Sequence, residues 1–294
     1  MPIKHTEQFK VRYYECDAYG HLNNAFYLRF MQEAAFAASA AVGLSREIYE
    51  QMRRVWIIRE TEIEYLQPVR AEELLEVSTW VAGVRRVMSR RMYEFKRAST
   101  DELVAQAYTD WVYLDRDSMT PTTIPPEVAE AYLAKDENPP PIPRDPFPKP
   151  PPPPTGAFKL RRRVEWRDID GLQHLTNAAY LAYAEDCAVQ LTASVGWPVA
   201  RWKQQGIAFV ARRNRIEYLL PALIDDELEI TTWLFDIRPA TVTRHYAITR
   251  AHDNTLLAQV QTLWVMMDLG TGRPKRIPPS LQEDFGPNIA QRKG

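Results

Sequence analysis

Between residues 25 and 42, apolar side chains recur at Phe26, Tyr27, Phe30, Met31, Ala34 and Ala38, the spacing of one buried helical face. Asn23 or Asn24 is placed to cap the start of that helix, and Gly43 to end it. Beyond it the period shortens. Residues 55–65, 74–84, 88–97 and 103–114 are rich in Val, Ile, Thr, Tyr and Trp and are separated by Pro68, Gly83 and the Ser99, Thr100, Asp101 cluster, so they read as strands. Residues 9–14 read as a further extended segment that enters the helix through a polar loop. One long helix against an antiparallel sheet is an α+β layer.

The whole pattern occurs twice. VRYYECDAYGHLNNAFYL from Val11 aligns with VEWRDIDGLQHLTNAAYL from Val164, pairing Asp17 with Asp170, His21 with His174, Asn24 with Asn177 and Tyr27 with Tyr180. The offset, 174 − 21 = 153, also pairs IEYLQP at Ile63 with IEYLLP at Ile216, Trp80 with Trp233, Tyr93 with Tyr246 and Trp111 with Trp264 without a gap. Such agreement marks an internal duplication. Between the copies runs PPPIPRDPFPKPPPPPT from Pro139, whose composition removes backbone donors and favours extended polyproline II. The expected organisation is a first domain over 1–138, a proline-rich linker over 139–155 acting as a semi-rigid spacer, and a second domain over 156–294.

Composition narrows the function without choosing it. A hydrophobic share of 45 %, a charged share of 26 % and a net charge of −1 describe a globular chain with no basic field for nucleic acid and no polybasic membrane patch. The first residues lack the apolar core of a signal peptide, and no stretch approaches the roughly 20 apolar residues of a spanning helix. A cytoplasmic chain is therefore expected. Two cysteines, Cys16 and Cys187, give neither a disulfide framework nor a metal-spaced pair. There is no GxSxG elbow, no phosphate loop, no GxGxxG after a strand and no His or Cys cluster, so no metal or cofactor is called for.

An extended segment, then DxxGHxNNxxY leading into a single long helix, then four strands, resembles the 4-hydroxybenzoyl-CoA thioesterase-like branch of the hotdog superfamily. The resemblance covers both copies. It implies two tandem hotdog domains, each a curved antiparallel sheet wrapped around one long central helix, paired within the chain as a double hotdog that leaves further oligomerisation open. It also implies acyl-thioester sites, with acyl-CoA as the substrate. The first copy keeps the motif in Tyr13, Glu15, Asp17, Gly20, His21, Asn23, Asn24 and Tyr27. The second departs from it, with Trp166, Gln173 and Thr176 standing where Tyr13, Gly20 and Asn23 do. Its Gln-His pairing also resembles plant acyl-ACP thioesterases, although Leu172 stands where their motif has an asparagine.

Thioester hydrolysis needs an activated oxygen nucleophile and donors aimed at the developing oxyanion. Asp17 before the helix is the candidate general base or nucleophile, and Asp170 its counterpart. Backbone N–H groups near Asn24, at the positive end of the helix, are the candidate oxyanion donors, with Asn177 in the corresponding place. Tyr13, read as lying on the entering strand, is placed to orient Asp17 through its hydroxyl. His21 and His174 suit loop-holding better than base catalysis, and Tyr27 and Tyr180 suit the core. Cys16 is discounted as a nucleophile because its repeat partner is Ile169. Glu64, Glu217, Glu33 and Asp186 fit a second carboxylate or an outward position equally. The cluster Arg85, Arg86, Arg90 and Arg91 could hold coenzyme A phosphates or simply a solvated sheet edge. Hydrolysis of an acyl-ACP and noncatalytic acyl-CoA binding are the competing functions; dehydratase signatures are missing.

Overall fold

A computed structural model describes residues 3–133 and 145–290. The chain divides into two compact units, Met1–Pro146 and Phe147–Gly294. The expected boundary between 138 and 139 lies outside the described residues.

In the first unit the strands are β1 (His5–Lys10), β2 (Arg54–Tyr65), β3 (Leu74–Arg85), β4 (Met88–Arg97) and β5 (Glu102–Asp115). They form an antiparallel sheet in the order β1-β3-β4-β5-β2. The 18-residue helix α1 (Asn24–Ala41) packs on β1 and β3, burying Tyr27, Phe30, Met31, Ala34 and Ala38 as the periodicity requires. Asn23 is the cap, its Oδ1 accepting from the Ala25 amide at 2.9 Å, and Gly43 follows the helix at φ +80°. The short helices α2 (Arg46–Gln51) and α3 (Pro126–Tyr132), which the pattern did not announce, close one end of the core around Tyr49, Tyr113, Val128 and Tyr132.

The second unit repeats this plan. Its helices are α4 (Asn177–Ser194), α5 (Val199–Gln204) and α6 (Pro279–Asp284). Strands β6 (Phe158–Arg163), β7 (Ile207–Tyr218), β8 (Glu227–Phe235), β9 (Thr241–Arg250) and β10 (Leu256–Asp268) are ordered β6-β8-β9-β10-β7. Two irregularities recur in both sheets, although the bulge at Ala82 in β3 has no counterpart in β8. One extra residue bulges at Arg59 and at Arg212, and another at Val104 and at Leu257, in each case 153 positions apart. Each unit is thus an α+β hotdog domain, one long helix against a curved antiparallel sheet.

Two expectations need correction. The entering strand stops at Lys10, and residues 13–15 form a single 3₁₀ turn. The cause is local: the Glu15 carboxylate accepts from the Arg12 amide at 2.8 Å and the Cys16 amide bonds the Tyr13 carbonyl, which bends the chain where its composition reads as extended. The proline segment is also more than a spacer over its described part. Phe147 is buried against His245, and the Pro148 and Pro151 carbonyls accept from Gln261 Nε2 at 2.7 Å and Trp233 Nε1 at 3.1 Å. Proline carbonyls without partners of their own are free to take donors from the second sheet. Among the described residues no helix is long and apolar enough to cross a membrane, and no group of three or more His, Cys, Asp or Glu is gathered to hold a metal.

Candidate active site

The motif DAYGH folds as a tight loop pinned at its mouth. The Asp17 amide bonds the His21 carbonyl at 2.7 Å, and Cys16 and Leu22 form a bridge outside it. The Asp17 carboxylate closes the loop from within, Oδ1 accepting from the Tyr19 amide at 2.8 Å and the His21 amide at 3.1 Å. This is the turn-holding geometry aspartate favours. The loop does not consume Oδ2, and Asp17 is exposed. Three residues after His21 the chain enters α1, so along the chain the loop leads directly into the positive end of an 18-residue helix.

The second loop has the same plan. Asp170 Oδ1 accepts from the Leu172 amide at 2.8 Å and the His174 amide at 3.2 Å, and the Asp170 amide bonds the His174 carbonyl at 2.8 Å. Gly20 sits at φ +78° and Gln173 at φ +63°. The turn demands the left-handed region, which glycine enters freely and glutamine only at a conformational cost. The caps differ as well. Thr176 makes no side-chain bond to the helix, and its Oγ1 is buried without a partner.

His21 is half-buried, and its imidazole pKa is lowered mainly by burial and further by Arg70, with Asp17 opposing. It meets the loop through its backbone, which bridges Arg70. His174 bridges Leu223 in the same way. Asn24 and Asn177 open their helices, and their carbonyls accept from Tyr65 and Tyr218 hydroxyls at 3.4 and 3.2 Å. The first-turn amides are partly committed in the first copy, where Ala25 and Phe26 bond the Asn23 side chain and carbonyl. Tyr27 and Tyr180 lie in the cores, each 3 % exposed.

Several other expected site residues are not brought to the loop. Tyr13, in its 3₁₀ turn, is 84 % exposed, and Trp166 at the matching position is 77 % exposed; Tyr13 is not on a strand aimed at Asp17. The arginine cluster is divided. Arg91 is buried, its Nη1 3.5 Å from Thr79 Oγ1 and its guanidinium over the Tyr132 ring. Arg90 is engaged bidentately by Asp110, both contacts at 2.7 Å. Adjacent residues of a strand face opposite sides of its sheet, so Arg91 turns inward to its partners while Arg90 lies on the other face, held by Asp110. Arg85 and Arg86 are exposed at the β3–β4 turn. That turn lies at the far end of twelve-residue β3, roughly 35 Å of extended strand from the Asp17 loop of the same domain. Glu64 and Glu217 accept from Gln106 and Gln259, and Asp186 pairs with Arg162, while Glu33 is exposed. Sequence reasoning missed the buried inward arginines altogether, since a charged residue on a strand ordinarily points to water.

Residues 2–132 match the family of the acyl-ACP thioesterase N-terminal domain, and residues 164–285 match the thioesterase-like superfamily. The acyl-CoA thioester hydrolase YbgC of Escherichia coli O157:H7 is 29 % identical over 131 residues, covering 45 % of this chain and 97 % of that protein. The chloroplastic oleoyl-acyl carrier protein thioesterase of Coriandrum sativum is 23 % identical over 197 residues, 62 % of this chain and 53 % of that protein. Among solved structures, the 12:0-ACP thioesterase from Umbellularia californica superposes with TM-score 0.71 at 17 % identity, over 92 % of this chain and 94 % of that one. An acyl-ACP thioesterase from Bacteroides thetaiotaomicron superposes with TM-score 0.70 at 16 % identity, over 89 % and 97 %. The fold is the tandem hotdog. The chain belongs to the hotdog-fold thioesterases and is a hydrolase of acyl thioesters.

Proposed function

We propose that the chain hydrolyses acyl-CoA to the free acid and coenzyme A, with Asp17 as the reacting carboxylate. The observation that carries this reading is the division of labour in its two oxygens: Oδ1 is held by two loop amides while Oδ2 is left to the solvent side, in the loop that leads into α1. As general base, Asp17 takes a proton from water, whose oxygen attacks the thioester carbonyl. The oxyanion collapses, the C–S bond breaks and the thiolate leaves to be protonated. As nucleophile, the same oxygen attacks directly and water then opens the anhydride. Backbone N–H at Asn24, with the helix dipole, is the proposed oxyanion stabiliser. Asp170 is proposed as a second, weaker centre, and a cytoplasmic location belongs to the same reading, supported by two free cysteines.

Carrier-protein thioesters are the second reading, favoured by the match of residues 2–132 to the acyl-ACP thioesterase N-terminal domain. Thiol release from matched CoA and ACP thioesters of aromatic, short and long acids tests both. Faster turnover of the CoA series is expected; turnover confined to the ACP series would transfer the assignment, and none with either would end it.

A further inference from the structure

The two domains treat one buried trio differently. In the first, Tyr93 Oη lies 3.0 Å from Thr109 Oγ1, and Trp111 Nε1 donates to the same hydroxyl at 2.6 Å. In the second, Tyr246, Thr262 and Trp264 occupy the matching positions, but Thr262 is drawn away and donates to Asn214 Oδ1 at 2.7 Å. Asn214 stands where the first copy has Thr61. Tyr246 Oη and Trp264 Nε1 are left buried without the Thr262 hydroxyl and with only each other in reach.

Beside them on the inward face of β9 is Arg244, 5 % exposed, with Nε and Nη1 buried and unpartnered. Its counterpart Arg91 has the Thr79 hydroxyl and the Tyr132 ring, whereas Phe285 replaces Tyr132 in the second copy. The groups that feel the Arg244 charge are Tyr246 and Cys187, and burial holds that thiol protonated by pushing it up to about 12. The Arg244 Nε and Nη1 donors, which carry the positive charge, thus meet no acceptor, while Trp264 Nε1 has only the Tyr246 oxygen. A water molecule could take two of these donors but would bring two more protons to be accepted, and it would leave the charge uncompensated. A buried charge of this kind calls for an anion.

We propose that Arg244, Tyr246 and Trp264 form a buried carboxylate-binding site in the second domain, taking a carboxylate at the far end of the acyl group or that of the released acid. A carboxylate supplies the single negative charge and planar acceptors that a guanidinium fits. The surroundings suit an acyl chain: Leu191, Leu234, Val242, Met266 and Phe285 pack nearby in one apolar cluster. Cys187, whose thiol senses the Arg244 charge, lies ten residues into α4, about 15 Å along the axis from the helix start. The site therefore reads the distal part of an acyl group. That the ligand is acyl rests on the thioesterase reading; the binding itself does not need turnover.

The test is thermal melting and calorimetric titration of the whole chain with decanedioate, decanoate and decanediol. Decanedioate is expected to raise the melting temperature and decanediol to leave it unchanged. A decanoate shift equal to that of decanedioate assigns the site to the released acid, and a smaller one to a dicarboxylic acyl group. Arg244→Met is expected to melt at or above the wild type without ligand, since it removes an uncompensated buried charge, and to lose the carboxylate shift. Asn214→Thr keeps the arginine but returns Thr262 to Tyr246 and Trp264, and should weaken binding about tenfold, as loss of hydrogen bonds to a charged group does. No carboxylate shift in the wild type, or a shift undiminished in Arg244→Met, overturns the site even if thiol release is brisk. A carboxylate shift in a protein inactive toward every thioester keeps the site and overturns only the enzymatic reading.

Discussion

The loops at Asp17 and Asp170 share one backbone and differ in how readily their side chains accept it. Both aspartates hold two amides through Oδ1, both loops need a left-handed residue, and both feed an 18-residue helix. The first meets these demands with Gly20 and the Asn23 cap; the second meets them with Gln173 and an uncapping Thr176. Geometry has outlasted the residues that favour it. That is the pattern of a site whose backbone is held by the fold while its chemistry is free to drift, and it is why the first loop is assigned the greater activity.

The largest stability difference between the copies is expected outside the loops, at the pair Met92 and His245. Burial under Phe147 and Trp233 pushes the His245 imidazole down to about 3, from an ordinary 6.5. The folded protein then binds fewer protons than the unfolded chain. The contribution is present above about pH 6.5 and drains away as pH falls toward 3, about 5 kcal/mol in all. Melting temperature against pH for wild type and His245→Met checks this: the variant should lose the acid-side slope, and parallel curves would place the sensitivity elsewhere.

Next in size are Asp17→Ala and Asp170→Ala, which remove the same two amide bonds. Each should cost about 1 kcal/mol by denaturant unfolding, and the two costs should agree, since each carboxylate holds the same two loop amides. Unequal costs would break the equivalence of the loops. Gln173→Gly should stabilise by about 1 kcal/mol and Gly20→Gln destabilise by as much. Open space surrounds a Cβ built at Gly20, so the penalty is conformational rather than steric. Smallest is Thr176→Asn, which offers the Ala178 amide the bond Asn23 gives Ala25 and should add about 0.5 kcal/mol.

Much of the fold was legible because apolar periodicity and exact repetition are one-dimensional signals. The helix from Asn24, the Met88–Arg97 strand and the Gly43 terminus all follow from residue spacing. The Asp17 loop was legible as a motif, and its hydrogen bonds are those an aspartate makes locally. What escaped depends on contacts distant in sequence or on a single competing bond. Tyr13 left the strand because Glu15 captures the Arg12 amide. Arg91 turned inward because strand alternation, set by its apolar neighbours, overrode its charge. His245 is neutral because a proline segment nearly a hundred residues earlier lies across it.

The most direct test of the account compares Asp17→Asn and Asp170→Asn in one thiol-release assay on an acyl-CoA that the wild type turns over. Asparagine keeps Oδ1 as an acceptor, so the loop amides stay bonded while the carboxylate charge is lost. Asp17→Asn is expected to lower kcat/KM at least a hundredfold, within the range general-base catalysis supplies, with melting unchanged. Asp170→Asn should cost clearly less. Wild-type turnover in Asp17→Asn, or a larger loss in Asp170→Asn, would contradict the assignment of the reaction to the first loop.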